Sequence, residues 1–429
     1  MNDYSLSETS SENSNSSDYV LSIFGKDITT LNYSTNNDKL FNAISNGYYN
    51  ITTNNKEISL ISENWKELTN DFYLRMSYFN GSSTKITLVS QTIERNLTFE
   101  DIVFDDISFV FYFSGIINFK NCIFKNNKYS ALFIKADNII LNFENCKVID
   151  TRPDIAEWIA NTDYVQYWRY NSINVYGNNC IINVKNSEFK NIMAEHFIYL
   201  PENKTGCKFY IENNIFDTIE GNGIAFESSV SGYIKNNIFK NIGELRGYYG
   251  NGDRTDGVGT NAIFTKNAIY CDMDISDNYI YNVNENGIEG SYRSVCRNKI
   301  ENTGYRNSLG YTNPSTEGIW GGSRLVKDNI IINPLAEGIV VESWNNAECI
   351  IENNTIISDE NKQTQAIKTV CDSNNNSNIS IYNNIIKGYA LAYNFINNNT
   401  VNLNNIKLYD PIMVGSSVIN ITSSTWYPQ

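Results

Sequence analysis

From about residue 97 onward, short runs of alternating apolar and polar residues recur, and most of them open on an asparagine-centred doublet. The copies are Asn121-Cys122-Ile123-Phe124, Asn145-Cys146, Asn186-Ser187, Asn213-Asn214-Ile215-Phe216 and Asn236-Asn237-Ile238-Phe239. They continue as Asp277-Asn278, Arg297-Asn298, Asp328-Asn329-Ile330-Ile331, Asn353-Asn354, Asn383-Asn384-Ile385-Ile386 and Asn404-Asn405. Successive copies lie about 20 to 41 residues apart, the spacing of a solenoid. A period of two in β-branched and aromatic residues predicts strands. About ten residues after most doublets comes a small residue followed by isoleucine: Gly223-Ile224, Ala262-Ile263, Gly287-Ile288, Gly318-Ile319, Gly338-Ile339 and Ala366-Ile367. This predicts a second stacked strand in each repeat.

Asparagine suits the sharp corner of a coil because it tolerates the left-handed backbone conformation and its amide both donates and accepts along a stack. An antiparallel sandwich would need a hairpin turn every 8–12 residues or so. A leucine-rich repeat would need its leucine pattern and a helical return. Neither pattern is present. The predicted fold is therefore all-β, a single-stranded right-handed parallel β-helix with an N-terminal capping helix. Residues 1–20 are expected to be linker or disordered, 21–96 a cap with irregular first coils, and 97–429 the β-helix. Within the cap, Asp38 to Ser45 (DKLFNAIS) predicts a short amphipathic helix with Leu40, Phe41 and Ile44 on one face, started by Asn36 or Asn37 and stopped at Gly47. Ile58 to Ile61 and Lys85 to Val89 predict early strands.

Through the Asn-Asn-Ile-Phe and Asn-Gly-Ile motifs, over roughly residues 97 to 410, the chain resembles the pectate-lyase-like superfamily of right-handed parallel β-helices. That superfamily holds lyases, glycoside hydrolases, epimerases, phage tailspikes and non-catalytic adhesins. The resemblance implies the fold and a carbohydrate partner, and leaves the chemistry open.

The 429 residues carry a formal charge of -14, with no basic stripe to release counterions from a phosphate backbone, so nucleic acid is not an expected partner. No apolar run approaches the roughly 20 residues a membrane span needs, and Met1 opens a polar stretch with no visible signal peptide. Location is expected to be secreted, cell-surface or virion-associated. The eight cysteines form no CxxC pair, and His196 is the only histidine, so a zinc site is not expected. Cys122 and Cys146 share one stacked position and Cys180 and Cys207 another, with Cys271 in register further on; buried free thiols are the favoured reading. No cofactor is expected, and no motif supports calcium. A monomer is favoured over a trimer, because no trimerisation segment is evident after Asn405.

Three repeats are lengthened at one segment: Ile149 to Tyr170, Gly243 to Thr260 and Asn302 to Thr316. Inserts at one corner of stacked coils rise along one edge, which predicts a groove whose walls include Trp168, Tyr248, Asp253, Arg254, Asp256 and Tyr311. Aromatic faces with carboxylates and guanidiniums suit sugar rings. The floor would be the small-residue–Ile strand, with Glu289, Lys266, Trp320, Glu342 and Val340 pointing outward, and Arg293 and Arg324 at its end. Glu317 and Glu337 stack at its beginning, where other coils hold Asn222, Asn261 and Asn286. Stacked carboxylates suit glycoside hydrolysis by a general acid and base.

A lyase would instead pair a base with a cation that neutralises a uronate carboxylate, roles open to Lys266 and Arg293. The run from Ile263 to Arg293 is faintly similar to the Lys and Arg region of chondroitinase-B and alginate-lyase-like enzymes. Gly259 and Asn261 stand where those enzymes place calcium-binding acids, and the Arg-His-Gly pattern is missing, as are the Asn-Thr-Asp and Gly-His-Gly motifs of polygalacturonases. His196 reads as a solvated or hydrogen-bonded corner residue. The sequence thus points to a polysaccharide-active protein cleaving by hydrolysis or β-elimination, with a non-catalytic adhesin or glycan-binding β-helix as the rival.

Overall fold

The computed structural model describes residues 29–33, 49–53, 57–60, 72–75, 77–89, 95–128, 130–151, 172–243, 260–266, 269–305, 316–343, 348–371, 378–396, 401–404, 413–415 and 419–423. Among them every paired strand is parallel to its neighbour, and each strand pairs with the equivalent strand one coil away. That is a parallel β-helix. Each full coil contributes three strands, one to each of three faces. The ladder face includes Glu188–Ile192, Ile215–Ile219, Ile238–Ile242, Tyr279–Val283 and Lys299–Thr303. The groove face includes His196–Leu200, Asn222–Phe226, Ile263–Thr265, Ile288–Glu289, Ile319–Trp320 and Ile339–Ser343. The charged face includes Ile181–Lys185, Lys208–Glu212, Ser231–Lys235, Tyr270–Ser276 and Ser291–Cys296. Four long strands, Ser77–Val89, Val103–Tyr112, Thr355–Cys371 and Ile385–Ile396, run continuously from the ladder face into the groove face.

Because side chains alternate sides and the register holds, like stacks over like in the core. The inward row of the ladder face is Phe104, Phe124, Val148, Phe189, Phe216, Phe239, Ile280, Ile300, Ile331 and Ile356, all buried. Phe216 and Phe239 stack with centroids 4.5 Å apart and planes 6° from parallel.

At the corner between the charged and ladder faces, the doublets divide two tasks between their two residues. The first member (Asn121, Asn145, Asn186, Asn213, Asn236, Asp277, Arg297, Asp328, Asn353, Asn383) takes the left-handed conformation, with φ between 51° and 57°. The second member is buried and points along the stack. Nδ2 of Asn214, Asn237, Asn278, Asn298, Asn329 and Asn354 each donates to Oδ1 of the next in the row, ending at Asn384, at 2.9–3.1 Å. The row is extended toward the N-terminus by Ser187, Cys146 and Cys122, whose backbone N–H groups donate to Asn214 Oδ1, Ser187 Oγ and Cys146 Sγ. Cysteine and serine therefore stand in for asparagine as acceptors. Cys122, Cys146, Cys180, Cys207, Cys271, Cys296 and Cys349 are buried free thiols.

A second left-handed row lies five residues after the first: Asn126, Asp150, Asn191, Thr218, Asn241, Asn282, Asn302 and Asn333. On the charged face, Glu100, Lys120, Glu144, Lys185, Glu212 and Lys235 occupy one outward row in strict alternation of sign. Glu212 takes both Lys185 (2.7 Å) and Lys235 (3.0 Å).

Stacking reaches back beyond residue 97, since Thr29–Tyr33 pairs in register with Tyr49–Thr53. The capping helix expected from Asp38 to Ser45 lies outside the described residues.

Candidate functional site

The small residue before each groove-face isoleucine has a steric cause. A Cβ on Gly287 would lie 2.7 Å from Ile300 Cγ2, on Gly318 2.6 Å from Ile331 Cγ2, and on Gly338 2.4 Å from Ile356 Cγ2. The chain thus turns its backbone against the core at that point. The residue just before the glycine faces the opposite way and lies on the same side as the residue after the isoleucine.

Two outward rows result. The first is His196, Asn222, Asn261, Asn286, Glu317, Glu337 and Gln365; the second is Tyr199, Ala225, Phe264, Glu289, Trp320, Val340 and Lys368.

The first row is itself hydrogen-bonded along the stack. The backbone N–H groups of Asn261, Asn286 and Glu317 each donate, at 2.8 Å, to Oδ1 of the asparagine one coil before. Asn222 Nδ2 lies 3.0 Å from His196 Nδ1, and the imidazole stacks on Tyr199 with centroids 4.8 Å apart. Burial pushes His196 down to about 3, so it is a neutral partner in the row and carries no charge at neutral pH. Where the row changes from amide to carboxylate it becomes electrostatically loaded. Glu289, Glu317 and Glu337 are only 7%, 9% and 7% exposed. Burial pushes Glu289 up to about 8; the Asn286 amide, donating to Oε2 at 3.0 Å, and more weakly Asn261 oppose the rise, and the charges of Glu285 and Glu317 add to it. Burial likewise lifts Glu317 to about 7; its own backbone N–H opposes the rise, Glu337's charge adds to it and Lys368 opposes it more weakly. Glu317 Oε2 is buried with no hydrogen-bond partner among the described residues. Glu337 accepts from Gln365 Nε2 and lies 3.8 Å from Lys368 Nζ.

The other residues singled out in the sequence are distributed differently. Trp320 follows Glu289 in register, and the half-buried Glu342, whose carboxyl is raised by burial, lies against the Trp320 side chain. Lys266 is exposed at the edge of the groove face and ion-paired with Glu202. Arg293 is not beside it. Gly290, at φ 134°, bends the chain immediately after Glu289, so Arg293 belongs to the charged face, where it pairs with Asp272 (3.0 Å) and Asp274. Gly321 makes the same bend, and Arg324 lies over the Tyr270 ring at 4.4 Å. Lys266 and Arg293, a combination suited to elimination, are thus held on different faces by different carboxylates. The described flanks of the three inserts, Thr151 and Ser172, Gly243 and Thr260, Tyr305 and Thr316, all lie between a ladder-face strand and the following groove-face strand. Trp168, Tyr248, Asp253, Arg254, Asp256 and Tyr311 lie outside the described residues.

Sequence reasoning missed an aromatic run on the same face. Phe133 and Tyr176 stack at 5.0 Å with Lys135 Nζ over both rings, and Tyr199 donates to Glu227 Oε2 at 2.8 Å. The signal was available: Tyr199 is the residue after Ile198, the same register position as Glu289. It also missed Gln365 and Lys368 as partners of Glu337. Among the described residues, no group of three or more His, Cys, Asp or Glu side chains is arranged to hold a metal ion, and no helix is long and apolar enough to cross a membrane.

No protein-family model matches the chain, and no curated protein is found similar to it. Solved structures do match. One is the periplasmic alginate epimerase AlgG, at 10% identity over 88% of this chain and 83% of that one, with a TM-score of 0.39. Another is the catalytic domain of a GH87 α-1,3-glucanase in complex with nigerose, at 12% identity over 88% of this chain and 64% of that one, with a TM-score of 0.31. Likeness at this level says nothing about chemistry. The strand pairing itself defines this chain as a parallel β-helix protein.

Proposed function

We propose that the groove face binds a polysaccharide and hydrolyses it with the carboxyl groups of Glu289, Glu317 and Glu337. The observation that carries this reading is the burial of three glutamates on successive coils, two of them with carboxyls raised to about 8 and about 7. A carboxyl raised into that range still holds its proton near neutral pH, which a general acid requires. Glu289 is assigned that role, donating to the leaving glycosidic oxygen. Glu337, beside the Lys368 ammonium and the Gln365 amide, has the partners of a carboxylate anion and is assigned to activate water. Glu289 and Glu337 stand two coils apart, a rise of about 10 Å along the axis, and in different rows of the groove face. The separation of Lys266 from Arg293 favours hydrolysis over elimination. A glycan-facing role also fits a location outside the cytoplasm.

The test is incubation with a panel of neutral and acidic polysaccharides, following reducing ends and unsaturated uronates in parallel. Reducing ends without unsaturated product are expected. Glu289→Gln should lower turnover about 100- to 10,000-fold while the thermal midpoint is retained. Full turnover in both Glu289→Gln and Glu337→Gln would remove this site from the reaction, and tight binding with no cleavage would make the protein a glycan-binding module.

A further inference from the structure

The amide of Asn286 is fully buried and touches both carboxylate-bearing rungs. We propose that Asn286 is a positioning residue that ties the two acids together: its Nδ2 donates to Glu289 Oε2 at 3.0 Å while its Oδ1 accepts the backbone N–H of Glu317 at 2.8 Å. The two contacts fix the amide's orientation, because a flipped side chain would set Oδ1 against a carboxylate oxygen and Nδ2 against an N–H. Asn222 and Asn261 likewise accept the next coil's N–H, and Asn261 has a weaker hydrogen bond to Glu289, but of these three asparagines only Asn286 is followed three residues later by an acid.

The arrangement also decides where the proton sits. Oε2 of Glu289 is occupied as an acceptor, so the protonated carboxyl carries its hydrogen on Oε1, the oxygen turned away from Asn286. Against the burial of the group and the charges of Glu285 and Glu317, Asn286 favours the ionised form of Glu289, with a smaller contribution from Asn261. On the other side of the pair, Glu317 faces Glu337 and Lys368. Asn286 thereby holds the proton affinity of Glu289 in a range where the proton is retained at neutral pH but is still transferable.

This inference rests on Glu289 as the proton donor of the proposed reaction, yet its test needs no substrate. The carboxyl band of Glu289, identified in infrared difference spectra by its loss in Glu289→Gln, is titrated in the intact protein, in Asn286→Ala and in Asn286→Ser. Loss of the donor should move the Glu289 midpoint upward by about one unit in Asn286→Ala, and by less in Asn286→Ser, which keeps a hydroxyl. Asn298→Ala, which removes an equally buried amide from the other polar row, should leave it unmoved. An unshifted midpoint in folded Asn286→Ala or Asn286→Ser, or an equal shift in Asn298→Ala, overturns the proposal. Absence of glycan cleavage with the shift present would sink only the proposed function.

Discussion

Two buried rows of polar side chains climb the same solenoid, and they are built oppositely. In the corner row from Asn214 to Asn384, each coil donates forward, by backbone N–H and by Nδ2, to the Oδ1 of the coil that follows. In the groove-face row, the backbone of the later coil donates backward to the Oδ1 of the coil before it. The first row uses both functions of every amide internally. The second stacks through the oxygen and leaves Nδ2 to other partners, back to His196 Nδ1 from Asn222 and sideways to Glu289 from Asn286. A closed row contributes stability, since a buried amide left unmatched costs about 1–3 kcal/mol for each lost partner. An open row has capacity left for chemistry, and carboxylates appear in the open one.

Altering each row in turn separates the two roles. Asn298→Asp places a carboxylate against Asn329 Oδ1 and removes donors to the Ile275 and Cys296 carbonyls. It should cost on the order of 3–5 kcal/mol, read as a shift in the denaturant midpoint with activity per folded molecule unchanged.

The groove-face acids should behave in the reverse sense. Their folded-state carboxyls lie at about 8 and about 7, above the ordinary value of 4.5, so the native state binds their protons more tightly than the unfolded chain. The stability this gives is fully present below about pH 4.5 and is lost as pH rises through about 7 to 8. Glu289→Gln should therefore be more stable than the parent at pH 8 by a few kcal/mol, the two converging near pH 4.5. Thermal melts across that range would contradict the assignment if the two curves ran parallel. On the charged face, where the alternating row is partly exposed, Lys185→Ala should cost only about 0.2–1 kcal/mol, and less in high salt.

Much of this was legible in the chain. The doublets marked the corner, the small-residue–Ile pairs marked the groove face, and Glu317 and Glu337 were recognisable as register partners before any coordinates. Three things were not. The doublet's division into a left-handed residue and a stacking residue is hidden because asparagine serves both purposes, and only positions such as Arg297-Asn298 and Asp328-Asn329 separate them. Arg293 was placed on the wrong face because a single bent glycine, Gly290, ends the groove-face strand after Glu289, and a glycine within a strand pattern does not by itself announce a corner. The burial of the acids was also invisible, since it depends on what neighbouring coils contribute rather than on local pattern.

The forward-donating amides give the solenoid a direction of growth. A finished coil offers donors that an acceptor at the matching corner of the next coil satisfies, much as a crystal face selects the molecule that extends it. Order formed in any one coil can thereby propagate to its neighbours through the row.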